Sequence, residues 1–156
     1  MKSATARRAG LGTLAAGALA AAVVLPASAA PAPTACSMVK ASEYRSILGK
    51  PVVLKTGEGS SSCQVWQNGT PTQLIPNLNP NYPQFATFMK KMLATTPNRV
   101  RLPNLGKYGY AVTFTSGGDS VYAGPSKHGL IVQFQSTGGI PRAKLIKLAT
   151  LAYSRS

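Results

Sequence analysis

Three features of the sequence predict a single α+β domain behind an export signal. Short stretches that alternate apolar and polar residues, with turn dipeptides between them, indicate antiparallel meanders. Three amphipathic segments indicate helices packed on one face of the sheets. The expected element order is α-β-β-β-α-β-β-β-α. Two cysteines, Cys36 and Cys63, complete the pattern and predict one disulfide.

The export signal occupies residues 1–29. Residues 1–8 carry three positive charges, residues 9–25 carry none, and Ala27-Ser28-Ala29 offers the small residues that signal peptidase reads. The sequence therefore predicts Sec-type export and cleavage after Ala29, which places the protein outside the cell. The pair Arg7-Arg8 leaves twin-arginine export open.

Residues 30–35 form a Pro/Ala spacer, and residues 36–156 form the secreted domain. Because disulfides persist outside the cell, Cys36 and Cys63 are expected to pair. A zinc site needs about four ligands. The only histidine is His128, so no metal and no cofactor is expected.

The first half of the domain is predicted to contain two helices and three strands. Glu43 lies in the first turn of the first helix, where the helix dipole favours negative charge, and Gly49 suits its end. Asn68-Gly69 is typical of a type I′ turn between strands. Residues 76–83 are predicted to form a loop. The predicted helices are 41–48 and 84–94, and the predicted strands are 52–56, 63–67 and 72–75.

The second half is predicted to repeat this plan. A loop over residues 97–106 precedes a three-stranded meander of 108–115, 120–123 and 130–135. Pro141 suits the first turn of a closing helix over 142–153. The residues expected to face inward from this helix are Leu145, Leu148, Ala149 and Ala152.

Charge is the strongest indication of function. The full chain carries +14, and removal of the three signal-peptide cations leaves 14 basic residues against 3 acids, or +11. The acids are Glu43, Glu58 and Asp119. Such an excess attracts polyanions, so an anionic envelope polymer, a lipid headgroup or an acidic protein is the expected partner. Alternatively, the charge only keeps a secreted protein soluble.

Five cations fall close together between residues 90 and 107, with no acid among them. We interpret them as a candidate anion-binding site. No RNP, KH or helix-turn-helix pattern occurs, so specific nucleic-acid binding is not expected. The sequence also favours a monomer without a transmembrane segment in its mature form. The five residues are Lys90, Lys91, Arg99, Arg101 and Lys107.

Catalysis is not expected. A serine hydrolase would have to use His128 and Asp119, but both residues lie in sequences typical of turns. Glycosidases need two carboxylates around the bond, and the acids here have simpler roles. The alternative hypothesis is a secreted hydrolase that uses a serine with His128 and Asp119. A loop-based inhibitor or a structural protein is a third hypothesis.

The segment from Cys36 to Trp66 resembles the start of a family of small secreted proteins and lipoproteins of actinobacteria, a domain of unknown function. The matching features are Cys36, Glu43 with Leu48-Gly49 in an E-x-x-x-x-L-G pattern, and the C-x-x-W strand from Cys63. The resemblance implies an extracellular life and a disulfide. Many members are lipid-anchored, but Pro33 stands where a lipobox needs an aliphatic residue, so lipid anchoring is not expected here. The family supplies no catalytic residues.

Overall fold

The computed structural model describes residues 33–57, 59–81 and 83–156. The predicted signal peptide and most of the predicted spacer therefore lie outside the described residues, as do Glu58 and Tyr82. The helices are α1 (Ala41–Leu48), α2 (Pro83–Thr95) and α3 (Arg142–Arg155), with a 3-10 turn at Pro103–Leu105. The strands are β1 (Val53–Thr56), β2 (Cys63–Gln67), β3 (Thr70–Pro71), β4 (Leu74–Pro80), β5 (Asn98–Arg101), β6 (Tyr110–Thr113), β7 (Asp119–Ala123) and β8 (Leu130–Ser136).

The strands form two antiparallel sheets. The smaller sheet is the meander β1-β2-β3, and the larger has the order β4-β8-β7-β6-β5. Strands β5 to β8 thus form a second meander, and β4 pairs with β8 at one edge of this sheet. The fold class is α+β, as predicted, and the order of elements matches.

The larger sheet buries side chains on both faces. Alternate residues of β7 show this: Val121 belongs to one apolar cluster and Tyr122 to the other. The first cluster contains α1, α3 and the inner face of the smaller sheet, and the second contains α2. The expectation of helices on one face therefore holds for α1 and α3, whereas α2 covers the opposite face.

The four residues predicted to face inward from α3 are completely buried against β7 and β8. On α2, Met89 and Met92 are buried, Phe85 is half-buried, and Phe88 is 48% exposed. The amphipathic pattern thus located both helices correctly. The Phe88 ring still contacts those of Phe85 and Tyr122, at centroid distances of 5.7 and 6.4 Å.

The disulfide between Cys36 and Cys63 is present, with the two Cα atoms 5.0 Å apart. It joins the segment before α1 to the first residue of β2. Glu43 lies in the first turn of α1, as predicted, and the Arg155 guanidinium donates to both of its carboxylate oxygens at 2.6 and 2.5 Å. These two links attach α1 to the smaller sheet and to the end of the chain.

The Asn68-Gly69 turn is confirmed, with φ of 50° and 79° at a two-residue connection between β2 and β3. The segment after this turn differs from the expectation. Of the predicted strand 72–75, only Leu74 and Ile75 lie in a strand, β4, because residues 72 and 73 connect β3 to β4. β4 then continues to Pro80 through residues that were expected to form a loop. Proline is accepted in β4 because it is an edge strand, where a missing N–H removes no ladder bond.

The predicted loop 97–106 also contains a strand, β5, which pairs with β6 from Asn98 opposite Thr113 to Arg101 opposite Tyr110. All four residues of β5 are exposed, so no apolar alternation marks this edge strand in the sequence.

Among the described residues, no helix is both long enough and apolar enough to span a bilayer.

Candidate functional site

Helix α2 is the element around which the predicted basic residues gather. Met89 and Met92 anchor it to the larger sheet, and the Phe85 ring lies 5.2 Å from the Tyr108 ring in an edge-on contact. Lys90 and Lys91 follow Met89 in the helix and are exposed. Because successive helical residues are about 100° apart, these two lysines point away from the sheet.

The edge strand β5 supplies two arginines on the same side of the sheet as α2. Arg99 lies opposite Val112, and Arg101 lies opposite Tyr110. Residues directly opposite each other share a face, and both Val112 and Tyr110 belong to the cluster under α2. Arg99 and Arg101 therefore lie beside the helix, two residues apart on one strand.

Arg99 caps the end of α2. Its guanidinium donates to the carbonyl oxygen of Leu93 and, at 3.3 Å, to that of Thr96. The last carbonyls of a helix lack partners within the helix, and its dipole favours a cation at this end. Arg99 thus has a structural role that its position in the sequence did not show, and its exposed charge remains at the tip of α2.

Arg101 and Lys107 also lie beside α2, each against a tyrosine ring. The Arg101 guanidinium donates to the Gly109 carbonyl oxygen at 2.6 Å and lies 4.9 Å from the centre of the Tyr110 ring. The Lys107 ammonium lies 5.5 Å from the centre of the Tyr108 ring, which itself contacts α2. Both side chains are cations placed over aromatic rings at the border of the helix.

The five predicted cations therefore all lie on or beside α2, and we call them the basic surface. No carboxylate among the described residues neutralises it. The only ion pair among the described residues joins Glu43 to Arg155, neither of which belongs to the basic surface. Asp119 accepts a hydrogen bond from the Thr113 hydroxyl. Thr113 lies on the face that α3 covers, because it is two residues from Ala111 of the first cluster.

A cleft of about 390 Å³ lies next to the basic surface, between Arg99 and Arg142. Arg142 begins α3, and its guanidinium donates to the Thr113 hydroxyl at 3.4 Å; both residues line the cleft. Arg142 is not among the cations predicted from the sequence. Only the packing of α3 against the meander brings it near β5, and no local pattern indicates this approach.

The residues of the hydrolase hypothesis lie far apart. Asp119 is the first residue of β7, and His128 lies in the loop beyond the last one, Ala123. The four residue steps from Asp119 to Ala123 along the strand span about 13 Å. The Asp119 carboxylate bonds to Thr113 of the neighbouring strand and not to its own turn. The structure therefore does not bring Asp119 and His128 together.

The tryptophan lies apart from the tyrosines near the basic surface. Tyr108, Tyr110 and Tyr122 pack in the cluster under α2, whereas Trp66 lies on the smaller sheet. Burial of Tyr122 raises the pKa of its hydroxyl. Trp66 is accompanied by Lys55, whose ammonium lies 3.6 Å from the centre of the indole. Trp66 is half-buried, as strand aromatics commonly are, but its pairing with Lys55 has no sign in the local sequence.

Metal binding finds no support in the described part of the chain, where histidine, cysteine, aspartate and glutamate residues form no group of three. No protein-family model matches the sequence. No curated protein shows significant similarity to it either.

Proposed function

We propose that this protein is a secreted, non-enzymatic binding protein whose basic surface holds an anionic ligand at the cell envelope. The observation that carries the proposal is the position of Lys90, Lys91, Arg99, Arg101 and Lys107 along one helix and its neighbouring edge strand, with no described carboxylate beside them. Unneutralised cations that share one surface add their fields and attract a polyanion more strongly than scattered charges do.

An extended polymer suits this surface better than a small anion. The cations border an exposed helix and an edge strand, and they do not converge on a closed pocket. Two of the side chains are already positioned, because Arg99 is held by the end of α2 and Arg101 by the Gly109 carbonyl. Positioned side chains lose less entropy when a ligand binds. An anionic envelope polymer is therefore the preferred partner over a lipid headgroup or an acidic protein.

Salt-dependent retention on an immobilised anionic polymer tests the proposal. The informative variant changes Lys90, Lys91 and Lys107 to serine, since none of these side chains donates a hydrogen bond to another described residue. Its matched control changes Lys40, Arg45 and Lys147 to serine; these residues are exposed and lie at the start of α1, on α1 and on α3, which pack on the opposite face of the larger sheet from α2. Both variants lose the same charge, so a difference between them reports position and not net charge.

We expect the Lys90, Lys91 and Lys107 variant to elute at much lower salt than the control, because screening limits exposed charges to a range of about 8–10 Å near physiological ionic strength. Equal elution of the two variants would show that the charge acts as a whole and marks no site. Retention on anionic lipid vesicles, but not on the polymer, would identify the headgroup as the partner instead.

A further inference from the structure

The smaller sheet presents an outer face that the core does not use. Along β2, Cys63 and Val65 point inward and are buried, whereas Gln64 is exposed and Trp66 is half-buried. Along β1, Val53 lies opposite Trp66 and is 60% exposed. An indole and an apolar side chain are thus held side by side on a rigid, accessible sheet.

The indole of Trp66 is held in one orientation. Its Nε1–H donates to the Gln64 side-chain oxygen at 3.1 Å, and the Lys55 ammonium lies 3.6 Å from the ring centre. Among the described residues, Lys55 makes no ion pair. Its cationic group therefore rests on the ring and can turn toward an incoming carboxylate.

A cleft of about 320 Å³ lies against this pair, and the turn residue Asn68 forms part of its wall. Asn68 also lines a second cleft of about 380 Å³, so both clefts reach the turn of the β2–β3 hairpin. The second cleft contains Lys50, and no acidic residue of the described ranges lines either one. Its other polar walls are amides and hydroxyls, from Gln67, Thr70, Thr72 and Gln73.

We propose that these adjoining clefts bind an acidic oligosaccharide of the uronate type. A pyranose ring has an apolar C–H face and a rim of hydroxyl groups, which matches an aromatic ring bordered by amide side chains. One sugar ring stacks on Trp66, and the carboxylate of that sugar forms an ion pair with the Lys55 ammonium. The neighbouring sugar lies in the amide-lined cleft near Lys50. This site is on the other sheet from the basic surface and does not depend on the function proposed for that surface.

Charge alone does not specify such a ligand, since a phosphate would also attract Lys55 and Lys50. The ring of Trp66 and the amide groups are what select a sugar over a phosphate, because they contribute little to a compact inorganic anion. Displacement of the ammonium from the indole also changes the surroundings of the ring. As Trp66 is the only tryptophan in the chain, its fluorescence reports this site directly.

The test is a fluorescence titration of the secreted protein with three probes: a short oligogalacturonate, the neutral oligogalactose of equal length, and inorganic tripolyphosphate. We expect saturable change with the oligogalacturonate and much weaker change with the other two. Lys55→Met should weaken oligogalacturonate binding about tenfold, the value of one charge-assisted hydrogen bond, and Lys55→Arg should retain most of it. Trp66→Phe should weaken binding measured by calorimetry.

The Lys90, Lys91 and Lys107 variant separates this site from the basic surface and should respond like the unaltered protein. An equal response to tripolyphosphate would overturn the proposal, because the site would then recognise charge and not a sugar. A response lost in that variant but kept in Lys55→Met would overturn it too, since the sugar would then lie on the basic surface. Absence of any response to the oligogalacturonate would have the same consequence.

Discussion

The contact between Glu43 and Arg155 predicts how stability depends on pH. The Arg155 guanidinium and the Lys40 backbone N–H both donate to the Glu43 carboxylate and lower its pKa from 4.5 to about 2. A group whose pKa is lower in the folded state stabilises the fold above its unfolded value. The contribution is therefore fully present above about pH 4.5 and is lost as the pH falls toward 2.

The size of this contribution depends on the exposure of the pair. A shift from 4.5 to about 2 would correspond to at most about 3 kcal/mol in the absence of solvent screening. The side chains of Glu43 and Arg155 are 25% and 36% exposed, so water screens them substantially. We therefore expect about 1–2 kcal/mol for this paired carboxylate, which is a few degrees in the midpoint of thermal unfolding.

Urea unfolding of the unaltered protein and Glu43→Gln between pH 2 and pH 7, followed by circular dichroism, tests this expectation. The variant should be less stable at pH 7, and the difference should disappear as the pH approaches 2. Arg155→Gln serves as a second variant, with a similar loss at pH 7. A difference that stays constant across the whole pH range would refute the assignment of the acid sensitivity to Glu43.

Three further outcomes are expected. Reduction of the Cys36–Cys63 disulfide should lower the free energy of unfolding by about 3–4 kcal/mol, measured in denaturant with and without reductant, because the bond closes a long loop with a sequence separation of 27. Gly109→Ala should destabilise the fold by about 2–3 kcal/mol in thermal unfolding, since a Cβ there would lie 2.1 Å from the Leu102 carbonyl oxygen. Arg99→Ser should lower the thermal midpoint more than Lys90→Ser does, because only the arginine caps α2.

The sequence predicted those parts of the fold that depend on local patterns. The Asn68-Gly69 turn, the glycine after α1 and the apolar face of α3 each require particular residues at particular positions, and each lies where the pattern indicated. The edge strands β4 and β5 were missed for the opposite reason. Prolines in β4 and the uniform exposure of β5 remove the local signs of a strand, and only pairing with β8 and β6 defines them.

The candidate site was predictable in composition but not in arrangement. The absence of acids between Glu58 and Asp119 made the five cations visible as a group. Their arrangement depends on pairings between distant segments: Arg99 with the end of α2, and Arg101 with Gly109. Lys55 meets Trp66 because the register of β1 against β2 makes them diagonal neighbours. No spacing along the chain indicates such contacts.

Lysine acetylation with and without bound anionic polymer, read by mass spectrometry, tests the central claim most directly. All the lysines compared are exposed in the free protein, so differences report which residues the polymer covers. We predict that the polymer protects Lys90, Lys91 and Lys107 and leaves Lys40 and Lys147, on the opposite face of the larger sheet, as reactive as before. Equal protection of all five lysines would contradict the claim, because the polymer would then bind the protein's charge and not the surface along α2.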